Sequence, residues 1–526
     1  MEEEGSSAPW WQTAVVYQIY PRSFADANGD GVGDLSGITS QLDHLVWLGV
    51  DALWLSPFFR SPMHDFGYDV ADYCDVDPIF GTLDDFDALV AAAHARGLKV
   101  MIDWVPAHSS SEHPWFVDAR ASRQSDRRNW YVWRDAGPGG ELPNNWKCAF
   151  SDAPAWTFDA GSGQYYLHSF LAEQPDLNWE EPKVEAAMHE VLRFWLERGV
   201  DGFRADVISN IGKDPALASV EEARAKLPPF VFRNEPVTHE YLRRIRRLLD
   251  SWPGDRAIVG EIPIFDSKEV ATFYGAGDEL HMAFNFPPLF APFEASAWRE
   301  RIEVTIGALD PANAWPTWVL SNHDFPRHRT RYGSEARARA AAVLLLGLRG
   351  TPFLYMGEEL GLEDALVPAE RVVDPGGRDG CRAPLPWSHA QDHGWGKTPW
   401  LPWPPDAAER SVEAQRDDPG SMLHLYRRLL AARRASPALR LGTFAFLDSP
   451  EGLLCWQRDL AGDRRTVVVN FEDREIEWSH GDRLEIEVAS DARGEAQTFE
   501  HRVGSHQALI LKPARPRENG RRKGTS

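Results

Sequence analysis

Eight runs of apolar and β-branched residues recur along the chain, and stretches with helical periodicity separate them. Runs that are apolar throughout are typical of parallel strands buried on both faces. Eight alternating strand and helix units predict an α/β fold, a closed (β/α)8 TIM barrel. The predicted strands are 14–20, 51–56, 98–103, 202–206, 257–261, 280–285, 315–322 and 351–356.

Two further segments do not fit the barrel pattern. Residues 108–178, after the third strand, are rich in Trp, Gly, Pro and Asn without a sustained helical period, which predicts an inserted subdomain. Residues 437–512 contain short strands and turn signals, which predict a C-terminal antiparallel β-sandwich domain. The barrel then comprises 1–107 and 179–436, and the basic, Gly-rich residues 513–526 are predicted to be a disordered tail.

The charge balance limits the partners that the protein can have. Its 526 residues include 56 basic and 79 acidic side chains, a formal net charge of −23. Such a chain repels phosphate groups, so we expect binding neither to nucleic acid nor to an anionic membrane. We find no signal peptide or spanning segment and expect a cytoplasmic protein. The four cysteines lie far apart, which favours neither a zinc site nor a disulfide framework.

Carboxylates stand at the ends of the predicted strands, where barrel enzymes place their catalytic groups. Asp206 ends the fourth strand, Glu261 ends the fifth, and Asp324 follows the seventh. Glycosidic cleavage with retention needs one ionised and one protonated carboxyl group. We expect Arg204 to hold the pKa of Asp206 down and the apolar residues before Glu261 to favour its protonated form. The alternative is that each acid caps the helix after its strand.

Four motifs, in order, resemble those of the α-amylase superfamily (glycoside hydrolase family 13), in the branch of oligo-1,6-glucosidases and α-glucosidases. They are D-W-V-P-A-H at 103–108, G-F-R-A-D-V at 202–207, G-E at 260–261 and S-N-H-D at 321–324. The resemblance extends over about residues 10–387. It implies that Asp206 is the nucleophile, Glu261 the acid and base, and Asp324 the carboxylate that grips sugar hydroxyls. It also implies sugar-binding roles for the following residues: His108, Arg204 and His323.

Further matches describe a pocket for the non-reducing glucose. In D-F-G-Y-D at 65–69, the resemblance implies that Asp65 binds hydroxyl groups and Tyr68 stacks on the sugar. In R-D-G-C-R at 378–382, it implies that the second arginine, Arg382, reaches the pocket. The alternative for each is a salt bridge within a loop. Gln174 begins Q-P-D-L-N, which is similar to the signature of the oligo-1,6-glucosidase group.

Two phenylalanines of the predicted insert have two possible locations in the fold. Phe150 and Phe170 lie in the predicted insert and either flank the pocket entrance or pack in the core of the subdomain. The substrate is expected to be a short oligosaccharide.

A metal-binding loop is predicted after the first strand. D-A-N-G-D-G-V-G-D at 26–34 places oxygen ligands at positions 1, 3, 5 and 9, with a backbone carbonyl at 7, as in the first part of an EF-hand. It also resembles a loop in which this enzyme branch holds structural Ca²⁺ or Mg²⁺. The alternative is a turn satisfied by its own hydrogen bonds. The predicted ligands are Asp26, Asn28, Asp30, Val32 and Asp34.

One residue departs from the family pattern. Ala107 stands where the family usually has Asn before the histidine, which argues against the α-amylase calcium site between barrel and insert.

Linkage preference depends on Val207, the residue after the predicted nucleophile. In the resembled branch, valine there tends to accompany α-1,6 preference; alternatively, Val207 only packs below the barrel rim. The leading hypothesis is a retaining, exo-acting α-glucosidase with possible transglucosylation. An α-1,4-specific enzyme and an isomerase such as trehalose synthase stay open, although the charged R-L-D-R-D loop of such isomerases is missing.

Two other classes of protein are disfavoured. A catalytically silent transporter subunit would need a membrane anchor and could lose its acids, whereas this chain keeps all three. A barrel enzyme of unrelated chemistry would leave the arrangement of Arg204, Asp206, Glu261 and Asp324 to coincidence.

Overall fold

The computed structural model describes residues 8–213, 216–219 and 234–514. Its strands are β1 Val16–Ile19, β2 Ala52–Leu55, β3 Phe59–Arg60, β4 Asp72–Val76, β5 Lys99–Trp104, β6 Trp133–Asp135, β7 Trp156–Asp159, β8 Gln164–Leu167, β9 Gly202–Ala205, β10 Ala257–Gly260, β11 Met282–Ala283, β12 Thr317–Val319, β13 Thr351–Tyr355, β14 Thr443–Leu447, β15 Leu453–Leu460, β16 Asp463–Asn470, β17 Ile476–Glu477, β18 Leu484–Ala489, β19 Arg502–Val503 and β20 Ala508–Pro513.

The α-helices in the same residues are α1 Trp10–Thr13, α2 Leu35–Ser40, α3 Leu42–Leu48, α4 Leu83–Ala95, α5 Pro114–Ala121, α6 Pro182–Glu197, α7 Pro236–Asp250, α8 Ser267–Thr272, α9 Ala295–Leu309, α10 His328–Tyr332, α11 Glu335–Gly347, α12 Val412–Arg416, α13 Met422–Ala435 and α14 Pro437–Leu441.

Eight parallel strands form the central sheet, in the order β11-β10-β9-β5-β2-β1-β13-β12. The Thr317 hydroxyl of β12 donates a 2.7 Å hydrogen bond to the Ala283 carbonyl of β11, which joins the two end strands. The sheet is thus nearly closed into a barrel, and the predicted (β/α)8 fold is confirmed. Each strand lies within its predicted run, except that β5 extends one residue further, to Trp104.

Alternation along the strands explains why these runs form a barrel. One set of side chains fills the barrel interior, where small residues such as Ala52 and Ala257 sit beside large ones such as Trp54 and Phe284. The other set, for example Tyr17 and Leu53, packs outward against the helices in the main core. Both faces of each strand are therefore buried, as the near-continuous apolar runs indicated.

Two segments outside the strand and helix repeat shape the carboxyl end of the barrel. A hairpin of β3 and β4 follows β2, and the insert after β5 contains α5 and the antiparallel sheet β6-β8-β7. No helical period is visible in the sequence of the insert, so the presence of α5 differs from the prediction. The helix has eight residues and buries only Phe116 and Ala119, which is too little for a period to show.

The C-terminal segment forms two antiparallel sheets, as predicted, with the orders β14-β15-β16-β20-β18 and β17-β19. Trp456 and Val467 on one face of the larger sheet belong to the main core, and Cys455 and Val468 on the other face pack in a second core with Trp478. The last strand includes Pro513, the first residue of the predicted tail. Residues 515–526 of that tail lie outside the described residues.

All four cysteines are free. Within the described ranges, the helices are too short or too polar to cross a lipid bilayer.

A buried arginine joins the barrel to the segment before the C-terminal sheets. Arg433 on α13 is only 1% exposed, and its guanidinium donates to four backbone carbonyls near the end of α11 and in α14. The negative end of the α11 dipole favours a cation at this position. Burial lowers the pKa of Arg433 to about 10, so the side chain is still charged at neutral pH. The acceptors are Leu346, Leu348, Leu439 and Gly350.

We predict that Arg433→Met lowers the free energy of unfolding by about 3 kcal/mol, because buried carbonyls would lose their donors. Thermal denaturation followed by circular dichroism measures the change. Arg434→Met is the matched control, since the Arg434 side chain is 56% exposed and should change stability little. Equal melting temperatures for the two variants would contradict the prediction.

Candidate active site

Acidic side chains stand at the carboxyl ends of neighbouring barrel strands. Asp206 comes directly after β9, Glu261 directly after β10, and Asp103 lies near the end of β5. These three strands are adjacent in the sheet, in the order β10-β9-β5, so their carboxyl ends meet at one side of the barrel mouth. The loop after β12 brings Asp324 to the same mouth.

Arg204 on β9 binds three of these carboxylates at once. Its Nη1 lies 2.7 Å from an oxygen of Asp103 and 2.6 Å from Asp206, and its Nη2 lies 2.6 Å from Glu261. The Trp54 indole donates to the second oxygen of Asp103 at 3.1 Å. Because Arg204 is only 2% exposed, its desolvation is tolerated only with such pairing. The guanidinium therefore fixes the positions of the three acids relative to one another.

The two predicted catalytic acids differ in pKa. Burial raises the pKa of Glu261 to about 8, with Arg204 opposing the shift. Burial also raises the pKa of Asp206 to about 7, again against Arg204. Burial outweighs Arg204, which lowers the pKa of Asp206 as expected, so the net shift of this pKa is upward. The pKa of Glu261 is the higher of the two, which favours Glu261 as the site of a proton shared by the pair.

Two arginines and three further acids form a second charged network at the closed end of the site. Arg378 lies 2.5 Å from Asp65, 2.9 Å from Asp324 and 2.6 Å from Asp374. Arg382 lies 3.3 Å from Asp324 and 3.1 Å from Asp374. Arg378 lines the cavity, whereas Arg382 is completely buried. The prediction that the second arginine of R-D-G-C-R reaches the pocket is therefore wrong; the first one does.

This network keeps Asp324 ionised. Burial disfavours its charged form, but His323, Arg378 and Arg382 outweigh burial and hold the pKa of Asp324 well below its usual range. Asp324 is therefore available as a hydrogen-bond acceptor for hydroxyl groups over the whole neutral pH range.

Tyr68 and His323 form a stacked pair beneath the cavity. Their ring centroids are 5.5 Å apart with planes 9° from parallel, and the Tyr68 hydroxyl lies 2.5 Å from Nε2 of His323. Gln18 on β1 donates to Nδ1 of His323 at 2.7 Å, which places the ring proton on Nε2. Burial lowers the pKa of His323 to about 3, so the ring is neutral. Sequence reasoning did not identify Gln18.

His108 and Gln174 connect the insert to the closed end. Gln174 Nε2 donates to Asp65 at 3.0 Å and lies 3.2 Å from Nε2 of His108. His108 Nε2 also lies 3.1 Å from the Tyr68 carbonyl oxygen. An isolated bridge pairs His108 with Asp176, so the Q-P-D-L-N segment positions this wall of the site.

These residues surround a cavity of about 390 Å³. Nine residues predicted for the site line it: Asp65, Tyr68, His108, Phe150, Phe170, Asp206, Val207, Glu261 and Asp324. Four predicted residues support the lining from behind: Gln174, Arg204, His323 and Arg382. Sequence reasoning missed six lining residues: Ala149, Pro263, Phe265, Phe286, Phe325 and Arg378. Phe150 and Phe170 thus lie at the cavity, the first of their two predicted places.

Val207 has an unusual backbone. Its φ of 34° and ψ of 46° lie in the left-handed region, where a β-branched residue costs about 1–3 kcal/mol. In this conformation its N–H donates to Glu261 Oε2 at 3.1 Å, and its side chain lines the cavity. Val207 therefore contacts the site directly and does not merely pack below the rim.

The predicted metal loop forms a series of tight turns. Asp26 accepts hydrogen bonds from the N–H groups of Gly29 and Gly31, and Asp30 accepts one from Val32. Asp34 caps α2 by accepting from the Gly37 N–H.

These hydrogen bonds are the kind that the alternative prediction describes, in which the loop is a turn satisfied by its own hydrogen bonds without a metal ion. In the ranges that the structure describes, no group of three or more His, Cys, Asp or Glu side chains is placed to hold a metal ion. The predicted metal-ligand set also contains the Asn28 amide oxygen and the Val32 backbone carbonyl, which are not among these four types of side chain.

Asp374 accepts hydrogen bonds from both arginines of the second network and does not itself line the cavity. We predict that Asp374→Asn weakens the binding of glucose, the ligand that the sequence resemblance implies, about 10-fold, because Arg378 would lose its charged partner and its fixed orientation. Titration calorimetry measures the affinity. Asp75→Asn is the control, since Asp75 pairs with Arg60 on the surface. Unchanged affinity in Asp374→Asn would contradict the positioning role.

Comparisons with known proteins agree with this geometry. Residues 18–442 match the family model described as alpha amylase, catalytic domain. A probable alpha-glucosidase of Rhizobium meliloti is 45% identical over 88% of this chain and 90% of its own length. An oligo-1,6-glucosidase of Parageobacillus thermoglucosidasius is 36% identical over 88% and 91%, respectively.

A solved structure has the same architecture. The crystal structure of an alpha-glucosyl transfer enzyme, XgtA, superposes with a TM-score of 0.89 at 40% sequence identity, over 97% of this chain and all of the other. The match to the family model covers most of the barrel and the insert, including each of the acids at the strand ends. The chain belongs to the α-amylase family, glycoside hydrolase family 13.

Proposed function

We propose that this family 13 glycoside hydrolase is a retaining, exo-acting α-glucosidase that releases glucose from short oligosaccharides. The proposal rests on the pair Asp206 and Glu261, which both bind one buried guanidinium at the cavity. The pKa of Glu261 is higher than that of Asp206. One ionised and one protonated carboxyl group beside a sugar-sized cavity is what double displacement requires.

The first half of the reaction uses both acids. The Asp206 carboxylate attacks the anomeric carbon, and Glu261 donates its proton to the leaving oxygen, so that a glucosyl ester of Asp206 forms. In the second half, Glu261 takes a proton from water, which attacks the same carbon and frees Asp206. Arg204 stays bound to both groups and limits their movement during the two steps.

The closed end explains release of one glucose at a time. Asp65, Asp324 and Arg378 present charged acceptors and donors suited to the hydroxyl groups of a terminal sugar. Because Arg378 bridges the two acids across this end, a longer glucan cannot continue past it. Binding energy from these groups also favours the distorted sugar of the transition state.

For the linkage, we propose α-1,6 preference, and the alternatives are α-1,4 hydrolysis and transfer or isomerisation. The support for α-1,6 is Val207, which lines the cavity beside Glu261, together with the similarity to an oligo-1,6-glucosidase. The similarity to an alpha-glucosyl transfer enzyme supports transfer to a sugar acceptor as a side reaction of the same intermediate.

We also propose that the loop 26–34 binds Ca²⁺ or Mg²⁺ as a structural ion. Support comes from its hard oxygen donors, namely carboxylates, the Asn28 amide and the Val32 carbonyl. The side-chain oxygens of Asp26, Asn28 and Asp30 accept N–H bonds within the loop, and each oxygen has a second lone pair. When bound, the ion supplies charge neutralisation in the loop and takes no part in glycoside cleavage.

We expect product analysis to establish the substrate. The purified protein is incubated separately with isomaltose, maltose, sucrose and trehalose, and proton NMR follows the products from the first minutes. The proposal predicts initial release of α-glucose, fastest from isomaltose. Faster cleavage of maltose or sucrose would replace the linkage assignment, and initial β-glucose would contradict retention.

The pH dependence of kcat/KM should be bell-shaped. Asp206 must be ionised and Glu261 protonated, so activity rises with pH through the pKa of Asp206 and falls through that of Glu261, with an optimum between about 7 and 8. Glu261→Gln should remove the alkaline limb with α-glucosyl fluoride, a substrate whose leaving group needs no proton. An alkaline limb that persists in this variant would contradict the assignment of Glu261.

Removal of divalent ions should affect stability more than catalysis. We predict that chelation lowers the melting temperature by several degrees, while activity at 25 °C stays within about twofold. Asp30→Ala should abolish the response to chelator, and Asp43→Ala, a change on the exposed face of α3, should retain it. A melting curve that chelation leaves unchanged would contradict metal binding.

A further inference from the structure

A second cavity, of about 330 Å³, lies between the insert and the loop after β9. Its lining comes mainly from β6, the residues just before that strand and the segment around Asn178, together with Lys213 and Leu217 of the loop. In the described ranges, it shares no lining residue with the catalytic cavity. Its volume is typical of a site for a small organic ligand. We call it the insert cavity.

The lining of the insert cavity carries an excess of positive charge. Among the lining residues that the structure describes, Glu180 is the one acid, against four basic residues: Arg123, Arg128, Arg134 and Lys213. The chain as a whole has a formal net charge of −23, so this cluster is opposite in sign to the rest of the protein. Cations gathered around one space repel one another and attract an anion.

Arg128 contributes a buried guanidinium to this lining. The residue is only 7% exposed, which is unusual for an arginine. Nη1 donates to the Ala119 carbonyl at 2.9 Å, and Nη2 donates to the side-chain oxygen of Gln164 at 2.6 Å. Nε is buried and has no hydrogen-bond partner in the part of the chain that the structure describes. The guanidinium carbon lies 3.3 Å from the centre of the Trp133 ring, whose π face compensates the charge in part.

No carboxylate among residues 8–213, 216–219 and 234–514 forms an ion pair with Arg128. Two acids lie near enough to raise its pKa, but both are paired elsewhere. Asp159 pairs with Arg120, and Asp135 pairs with Arg123. Burial outweighs these acids and lowers the pKa of Arg128 to about 10, so the side chain is charged at neutral pH. Because a buried cation without an opposite charge is unfavourable, an anion in the cavity would stabilise it.

Lys213 brings a second buried cation to the same cavity. It is 6% exposed, its Nζ lies 3.3 Å from Asp176, and the same atom donates to the Asn210 carbonyl at 2.9 Å. Arg123 and Arg134 also line the cavity and are exposed, so they stand at its solvent side. Cations therefore surround the cavity at two depths, which suits a group with more than one negative charge.

We propose that the insert cavity is a binding site for a phosphate monoester of a small sugar, with the phosphate bound by Arg128 and Lys213. A phosphate monoester carries close to two negative charges at neutral pH and has three acceptor oxygens. A carboxylate offers one charge and two oxygens, so it matches the four cations less well. The proposal concerns a site apart from the catalytic acids and does not depend on the proposed glucosidase function.

The rest of the lining favours a sugar phosphate over inorganic phosphate. Asn129, Asn178 and Gln164 also line the insert cavity. Their amide groups both donate hydrogen bonds and accept them, as the hydroxyl groups of a sugar do. A cavity of about 330 Å³ leaves room for a sugar ring beside the phosphate.

Titration calorimetry of the full-length protein with glucose 6-phosphate tests the site. We expect saturable binding, about 10-fold tighter than that of inorganic phosphate or glucose in the same buffer. Arg128→Met should weaken this binding about 10-fold, because the buried cation is lost. Arg134→Gln changes a residue at the exposed side of the cavity, where removal of the charge is tolerated by the fold, and should weaken binding about 3-fold.

Two control variants locate the ligand. Arg127→Gln is matched to Arg128→Met, because Arg127 is the preceding residue but pairs with Asp118 and does not line the insert cavity. Asp324→Asn changes the glucose-binding end of the catalytic cavity and no part of the insert cavity. Both variants should bind glucose 6-phosphate as tightly as the wild type does.

Three results would overturn the proposal. The first is no binding of glucose 6-phosphate at millimolar concentration. The second is equal affinity for inorganic phosphate, which would remove the sugar from the assignment. The third is loss of binding in Asp324→Asn with wild-type affinity in Arg134→Gln, which would place the ligand in the catalytic cavity. Circular dichroism checks the fold of Arg128→Met, and if that variant does not fold, wild-type affinity in Arg134→Gln alone overturns the proposal.

Discussion

The site depends on one buried cation shared by three carboxylates. Arg204 has almost no contact with solvent. Its charge is paired instead with Asp103, Asp206 and Glu261, which all lie within 2.7 Å of its nitrogens. Neither the cation nor the acids would be stable there alone, since a buried charge without a partner costs several kcal/mol. The ends of three adjacent parallel strands bring the four groups together, so the barrel and the charge network require each other.

A second network repeats this principle where the sugar is proposed to bind. Arg378 and Arg382 face Asp65, Asp324 and Asp374, and these charges come from loops that are far apart in the sequence. The two networks shift the pKa values of their acids in opposite directions. Around Asp324, His323 and two arginines outweigh burial and the pKa falls, whereas at Glu261 burial outweighs one shared arginine and the pKa rises. Ionised and protonated carboxyl groups therefore coexist in one cavity.

The strand pattern in the sequence predicted the positions of the residues at the strand ends. It did not predict which loop residues face the cavity. Strand ends located Asp206 and Glu261 correctly at the mouth, because the period of the apolar runs fixes where each strand stops. The R-D-G-C-R motif could not show which arginine faces the cavity, since that depends on how the loop returns to the barrel. The lining residues Phe265, Phe286 and Phe325 were missed for the same reason, because they come from three separate loops and carry no common spacing.

Two physical quantities also lay beyond the sequence. The left-handed backbone of Val207 is unfavourable for its residue type, so no local preference indicates it. The net pKa of Asp206 is a balance between burial and one cation, and adjacency to Arg204 in the sequence shows only the second effect.

The proposed mechanism requires a covalent bond between Asp206 and glucose, and this intermediate can be trapped. The protein is incubated with 5-fluoro-α-glucosyl fluoride, which slows hydrolysis of the ester, and the product is analysed by intact mass and peptide mapping. We predict one added fluoroglucosyl group, located on Asp206. Turnover of the reagent with no adduct, or an adduct on another residue, would contradict it.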